Sequence, residues 1–362
     1  MTAYKEKLKA PFPYFGGKAA VAAEVWRRFG RVDNYVESFF GSGAVLLGNP
    51  WWAPECRLVE TVNDRDCYIA NFWRALRATP EQLAEIVDNP INECDLEAWH
   101  KWLVAASRKA ELERRCKDDP FYFDPLIAGR WCWGLCQWIG CGWCAGEWHG
   151  PGDERNAGPG VNVRDPEWGG KRPQLHNDQG VHRKRPSLGN KGRGVHRQLP
   201  HLGNKGCGLH APSRAGEGPH PCSEWFAALS ERLRGVRVCC GDWSRVTGES
   251  VTTQHGMTAV FLDPPYSAKA DREKRLYRTD CLAVSTDAQR WAVENGGNEL
   301  LRIAFCGYDG EYEFPASWEC FAWRAQGGMG NQSAPGGRGR ENAGRERIWF
   351  SPACERQREL FD

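Results

Sequence analysis

The chain has no apolar run near the ~18 residues that a membrane span requires, so no membrane partner is expected. It has no large excess of one charge either. Lys and Arg number 48 against 46 Asp and Glu, a formal net charge of +2. A uniformly basic nucleic-acid coat is thereby excluded, and any such surface must be local. A charged-then-apolar leader is also missing, since Met1-Thr-Ala-Tyr-Lys-Glu-Lys7 is polar. Without a secretory signal, the 16 cysteines read as reduced thiols in a cytoplasm rather than as a disulfide framework. No Gly-Lys-Ser/Thr follows the glycine turns and the full dinucleotide spacing is absent, which removes two common phosphate-binding motifs.

What is present is an α/β texture in two pieces. At 362 residues the chain can form one large domain or two ordinary ones. Residues 19–29 read as a helix, Asn34–Glu37 as a strand, and Phe39-Phe-Gly-Ser-Gly43 as a glycine turn into Ala44–Leu47. A second strand at Arg57–Val62 ends at Asn63-Asp64, and a helix carrying Ile69, Phe72, Trp73 and Leu76 follows. The texture returns with a helix at Trp225–Leu233 and strands at Val236–Cys240 and Thr258–Leu262. A helix at Asp287–Glu294 and strands at Leu301–Cys306 and Arg347–Phe350 complete it. A catalytic core of residues 1–77 and 223–362 is therefore expected, with 78–222 inserted into it.

The insert differs in composition. Its first part, 80–115, is helical and charged, and Trp131–Trp148 is rich in Trp and Cys. Cys132, Cys136, Cys141 and Cys144 lack the two close pairs of a structural zinc site, so a buried aromatic core is expected and no metal. Residues 151–220 hold 12 Lys and Arg against 6 Asp and Glu, plus 6 of the 9 histidines. Pro186–His196 is echoed by Pro200–His210, with a degenerate copy at Pro173–His182. That pitch is too short for a helical solenoid, and a surface array of loops or hairpins fits better. The local basic excess predicts a DNA-facing surface, with Lys184, Arg185 and Lys205 among the phosphate contacts and Arg193 and Arg197 among the candidates for base readout. The alternative is a solvated insert.

Asp263-Pro264-Pro265-Tyr266 follows the apolar strand Thr258–Leu262. Two prolines end that strand, because neither donates to a sheet ladder. A carboxylate, a carbonyl and a ring are thus presented at a strand's carboxyl end, where open α/β sheets bind ligands. Read alone, the tetrapeptide fits either a proline-terminated strand with a capping Asp or a site for an exocyclic amine. Asp64 likewise reads either as a ribose ligand or as the N-cap of the next helix.

Taken in order, Pro13-Tyr-Phe-Gly-Gly-Lys18, Glu37-Ser-Phe-Phe-Gly-Ser-Gly43, Asn63-Asp64, Gly241-Asp242 and Asp263-Pro-Pro-Tyr266 resemble the D12-class, Dam-like DNA adenine-N6 methyltransferases. The phage and prophage members are nearest, and the likeness covers residues 11–77 and 223–350. It implies a Rossmann-like sheet binding S-adenosylmethionine and a large inserted target-recognition domain. On that likeness Tyr14, Gly17 and Lys18 line the cofactor pocket with Glu37, and Phe39, Gly41 and Gly43 form its turn. Asp64 holds the ribose, Asp242 the cofactor's adenine amine, and Asp263 borders both ligands. Ser38 stands where the family usually has Pro, and Tyr14 where Dam has Trp; these touch turn stiffness and stacking.

The resemblance further implies double-stranded DNA as the partner and a flipped-out adenine as the substrate. Asp263 and the Pro264 carbonyl accept the N6 hydrogens, Pro265 stiffens the turn and Tyr266 stacks on the base. Arg272, Lys274 and Tyr277, in the polar loop 267–280, are expected to hold flanking phosphates. Cytosine-N4 methylation and a DNA-binding relative without catalysis are the alternatives. A monomer is expected, with a dimer on DNA as the other possibility.

Overall fold

Strands of a parallel sheet covered on both faces read as short unbroken apolar runs, and the two central strands obey that rule. β1 (Asn34–Glu37) and β4 (Thr258–Leu262) are buried at every residue. The computed structural model describes residues 8–14, 16–90, 93–138, 143–144, 221–265, 283–324 and 344–356. Among these, β2 (Val59–Asp64), β3 (Val236–Cys240), β5 (Leu301–Tyr308), β6 (Glu319–Ala322) and β7 (Glu346–Phe350) complete one sheet of order β3-β2-β1-β4-β5-β7-β6. The five strands β1 to β5 are parallel, and β7 runs antiparallel to both β5 and β6. The chain winds outward from β1 through β2 to β3, returns to β4 beside β1, and winds outward again through β5. The direction of winding therefore switches between β1 and β4, and open α/β sheets bind ligands at the carboxyl ends of the strands at such a point.

Alternating side chains divide the strands between two apolar layers. Tyr35, Val62, Ala259, Phe261 and Ala304 face a large cluster built with α1 (Ala22–Phe29), α2 (Ala44–Leu47) and α3 (Cys67–Ala78). Val36, Val260, Leu262, Ile303 and Phe305 face a smaller one that includes Ala288 and Ala292. These two alanines belong to α9 (Val284–Asn295). No helix among the described residues is long and apolar enough to cross a membrane.

The described part of residues 78–222 consists of α4 (Pro80–Val87), α5 (Glu93–Val104), α6 (Ala106–Asp118) and α7 (Pro125–Gln137), with α8 (Pro221–Leu233) straddling its end. These helices share the larger cluster with α1 and α3 through Leu83, Leu103, Leu112, Ile127 and Trp131. The segment is thus continuous with the core of the sheet. Arg74 on α3 ties it down: its Nε donates to the Val238 carbonyl and its Nη1 to those of Cys116, Asp119 and Tyr122, at 2.9–3.2 Å.

Several element boundaries differ from the sequence reading. The helix expected over 19–29 begins at Ala22, because the chain first turns on hydrogen bonds from Val21 and Ala22 to the Lys18 carbonyl. The strand expected at 57–62 sits two residues later. The Trp- and Cys-rich stretch contributes an unexpected helix, α7, opened by Pro125 after the Asp124 cap. Strand β6, mostly exposed, was not expected; its short apolar run Cys320-Phe-Ala-Trp323 was passed over.

Candidate active site

Three strands that neighbour one another in the sheet, β2, β1 and β4, end in acids. Glu37 closes β1, Asp64 closes β2, and Asp263 follows the last residue of β4. Parallel pairing aligns these ends, with Glu37 opposite Val62 on one side and Phe261 on the other. Between them opens a cleft of about 830 Å³, counted out to its mouth, which Glu37, Asp64 and Asp263 line with Tyr14, Gly17, Lys18, Phe39, Gly41 and Pro265. The switch point of the sheet and the sequence motifs therefore coincide.

The glycine turn 39–43 is fixed from three sides. Gly41 has a φ of +47°, and a Cβ there would lie 2.7 Å from the Tyr14 ring. Gly43 has a φ of +64°, and a Cβ would lie 2.8 Å from the Phe40 ring. Both positions demand glycine twice over, by backbone conformation and by contact. The Gly41 N–H donates to Asp64 Oδ2 at 2.9 Å, and Trp73 Nε1 donates to the Gly41 carbonyl at 2.9 Å. At Gly17, by contrast, a Cβ would meet only ordinary contacts, the nearest at 3.4 Å.

Asp64 is not the helix cap. Asp66 caps α3, accepting the Tyr68 N–H at 2.9 Å. Asp64 instead accepts the Asp66 N–H on Oδ1 at 2.8 Å and the Gly41 N–H on Oδ2. Asn63 stitches the neighbouring strand ends, its Nδ2 donating to the carbonyls of Ser38 and Gly241 at 3.1 Å.

Glu37 is 2 % exposed and accepts the Tyr35 hydroxyl at 2.8 Å. Burial pushes its carboxyl up to about 8; the Tyr35 hydrogen bond opposes this, while the Asp263 and Asp64 charges add to it. Lys18 is 3 % exposed, and its Nζ lies 2.8 Å from both Asp263 Oδ2 and the Gly16 carbonyl. Burial alone would lower the Lys18 ammonium, but the Asp263 carboxylate beside it raises it well above the ordinary lysine value. Burial pushes the Asp263 carboxyl up, and the Lys18 charge pulls it back. The ammonium in direct contact thus favours the ionised carboxylate against the effect of burial. One fifth of the Asp263 side chain faces the cleft, beside Pro265 and above the buried Pro264.

Asp242 lies at the carboxyl end of β3, exposed, outside the residues that line the cleft. Its Oδ1 accepts the Ser244 N–H at 3.1 Å and the Ser244 hydroxyl at 2.6 Å, which caps the 3₁₀ turn Trp243–Val246. That turn brings Trp243 onto Phe39, with ring centroids 6.3 Å apart and planes at 23°. Sequence reasoning passed over Ser42, Ala44, Val45, Arg65, Asp66 and Val284, which also line the cleft. Adjacency to the motifs could have pointed to all of these but Val284, which lies 18 residues beyond Tyr266.

Tyr266, Arg272, Lys274 and Tyr277 lie outside the described residues, as do Lys184, Arg185, Arg193, Arg197 and Lys205 of the repeat region. Of the four cysteines weighed for zinc, Cys132, Cys136 and Cys144 are buried and Cys141 lies outside the described residues. Among the described residues no group of three or more His, Cys, Asp or Glu could hold a metal ion. No protein-family model matches the chain, and no curated protein matches it either.

Proposed function

We propose that this chain is a DNA adenine-N6 methyltransferase that takes its methyl group from S-adenosylmethionine. One observation carries the reading: the carboxyl groups of Glu37, Asp64 and Asp263 meet at the switch point of the sheet, around a glycine turn and a buried lysine. The sequence resemblance supports the assignment of substrate and cofactor.

The lining fits that cofactor better than it fits a phosphate. Four carboxyl groups, of Glu37, Asp64, Asp66 and Asp263, stand against two cations, Lys18 and Arg65. Lys18 is already committed to Asp263. A negative cleft disfavours a nucleotide phosphate and attracts a ligand bearing a sulfonium and an ammonium. The raised Glu37 carboxyl is an acid awaiting a cation, since a nearby positive charge favours its ionised form. S-adenosylmethionine, when bound, supplies a methyl group made electrophilic by the sulfonium.

The chain's own residues position and orient. Asp64 accepts ribose hydroxyls, and the rings of Tyr14 and Phe39 offer stacking surfaces. Lys18 keeps Asp263 ionised, so that carboxylate can only accept hydrogen bonds. An exocyclic amine donating to Asp263 has its lone pair freed from the ring and directed at the electrophile. Because the same ammonium lowers the basicity of Asp263, catalysis rests on placement more than on general-base strength.

The test is to incubate the protein with duplex DNA and methyl-labelled S-adenosylmethionine and to identify the labelled nucleoside by mass spectrometry. N6-methyladenine is expected. Labelled N4-methylcytosine would replace the substrate assignment, and cofactor binding without transfer would mark an inactive relative. Failure to bind S-adenosylmethionine would overturn the reading. Asp263→Asn should abolish transfer while cofactor binding survives, and transfer by that variant would sink the mechanism. The Asn variant removes the carboxylate beside the buried Lys18 ammonium, which costs stability; Asp263→Asn with Lys18→Met controls for that loss and should remain inactive.

A further inference from the structure

We infer that Tyr35 is a positioning residue of the cleft, whose buried hydroxyl holds the Glu37 carboxyl in the orientation and ionised form that receive a cationic ligand. This role rests on the cofactor proposed above. Tyr35 is 0 % exposed, and the alternation of β1 puts it on the same face as Glu37, two residues on. Its ring packs against Trp26 and Phe29 of α1, with centroids 4.9 and 6.4 Å away. Trp26 is itself pinned, since its Nε1 donates to the Val45 carbonyl at 2.7 Å. The Tyr35 ring is thus held in place, and its hydroxyl donates to Glu37 Oε2 at 2.8 Å.

A phenylalanine would fill the same space in this apolar layer. A hydroxyl buried there has lost its water and costs free energy unless a partner compensates it. Among the described residues its hydrogen-bond partner is Glu37. What the hydroxyl adds to the core is therefore its effect on one carboxyl group. Burial and the Glu37 and Glu60 charges raise this hydroxyl well above the ordinary tyrosine value, against an opposing effect of Arg232. Tyr35 thus keeps its proton and acts as a donor to Glu37.

The other groups around Glu37 show why such a donor matters. Burial opposes a charged Glu37, and so do the carboxylates of Asp263 after β4 and Asp64 at the end of β2. In the other direction the Tyr35 hydroxyl acts most strongly, followed by the Leu46 N–H of α2. The nearby cations are engaged elsewhere, Lys18 with Asp263 and Arg232 of α8 with Glu60. Cys306 on β5 also faces this cluster, and burial pushes its thiol well up, so it stays neutral. Leu46 is fixed in turn, because its carbonyl accepts Arg232 Nη2 at 2.9 Å. Without the Tyr35 hydroxyl the Glu37 carboxyl would hold its proton more tightly, and a sulfonium or ammonium would meet a neutral acid.

The experiment compares the parent protein with Tyr35→Phe, Glu37→Gln and the double variant. Calorimetry gives S-adenosylmethionine affinity on both sides of pH 8, the region in which Glu37 titrates. The carboxyl-carbon resonance of Glu37, identified by its loss in Glu37→Gln, is titrated in the ligand-free protein. In Tyr35→Phe that titration should move up by about one unit, the scale of one hydrogen bond to a charged group. Affinity at neutral pH should then fall about tenfold and recover above the new break point. Reading the variant against the parent cancels the cofactor's own titration, and recovery at high pH shows that the variant is folded. In the Glu37→Gln background, Tyr35→Phe should leave affinity unaltered. An unmoved Glu37 titration, or an affinity loss equal at every pH, would overturn the role of Tyr35 while leaving the cofactor reading intact. A parent protein that binds no S-adenosylmethionine at any pH would overturn both.

Discussion

Glu37 shows how one buried acid couples ligand, proton and stability. Its folded value near 8 lies above the ordinary 4.5, so the folded protein holds a proton that the unfolded chain releases across that window. Stability contributed by this group is therefore greatest at or below pH 4.5 and falls as pH rises towards 8, by about 1.4 kcal/mol per pH unit. Glu37→Gln should flatten that part of a denaturation-against-pH curve, and an unaltered slope would refute the account. On the proposed reading, cofactor binding at neutral pH also expels the Glu37 proton. Calorimetry in buffers of different ionisation enthalpy should then show proton release that the Gln variant lacks. Glu37 itself was legible as a strand-end acid, whereas its burial and its bond to Tyr35 were not. Two residues apart on a strand, these side chains share one face, but sequence could not say that both would be fully covered. Asp64 and Asp66 make the complementary point: either could cap α3, and the structure gives the cap to Asp66 because Asp64 is committed to the Gly41 turn.

Among the elements, α8 is anchored by a group that hydrophobic periodicity could not reveal. Arg232 on α8 meets Glu60 on β2 in a two-bonded pair, 2.6 Å for each contact, with side chains 2 % and 5 % exposed. Its Nη2 also donates to the Leu46 carbonyl at the end of α2. Three elements, of which α2 and β2 line the cleft, thus converge on one guanidinium. Glu60→Ala should destabilise the fold by about 3–5 kcal/mol, because an uncompensated buried charge remains. A chemical denaturation series would read this directly, and a loss below about 1 kcal/mol, the scale of a surface pair, would remove the pair from the list of structural supports. The regular strands and helices of the core were legible because their apolar runs and glycine stops are local. The helix α7 was not, since its Gly129 and Gly134 and its apolar residues on all sides break a 3.6-residue pattern. Its glycines exist for contact: a Cβ at Gly134 would collide with the Trp143 ring, and one at Gly129 with Ile86.

For the whole molecule, the cleft draws its lining from residues 14–66 and 261–284. The repeat region at 173–210 lies between these stretches in sequence and outside the described residues. On the proposed function, replacing residues 173–210 by a short Gly/Ser linker should leave S-adenosylmethionine affinity unchanged. The same change should remove preference among DNA sequences, measured as the ratio of specific to competitor binding at fixed salt. A variant that kept full sequence preference would assign readout to another part of the chain. The described helices between β2 and β3 already depart from a free-standing insert, because Arg74 and the shared apolar cluster bind them to the sheet.

The sequence by itself determined the parallel core, its two halves and the acids that end its strands. Apolar runs, prolines and glycine turns act over a few residues and need no tertiary partner to be read. Only the tertiary structure decided the strand order that puts β4 beside β1, and with it the meeting of Asp263 with Lys18 across 245 positions of sequence. It also decided that the Glu37 carboxyl is buried deeply enough to be pushed towards holding its proton. Those properties depend on what surrounds a side chain in space, and burial and charge pairing arise only when distant segments are packed together.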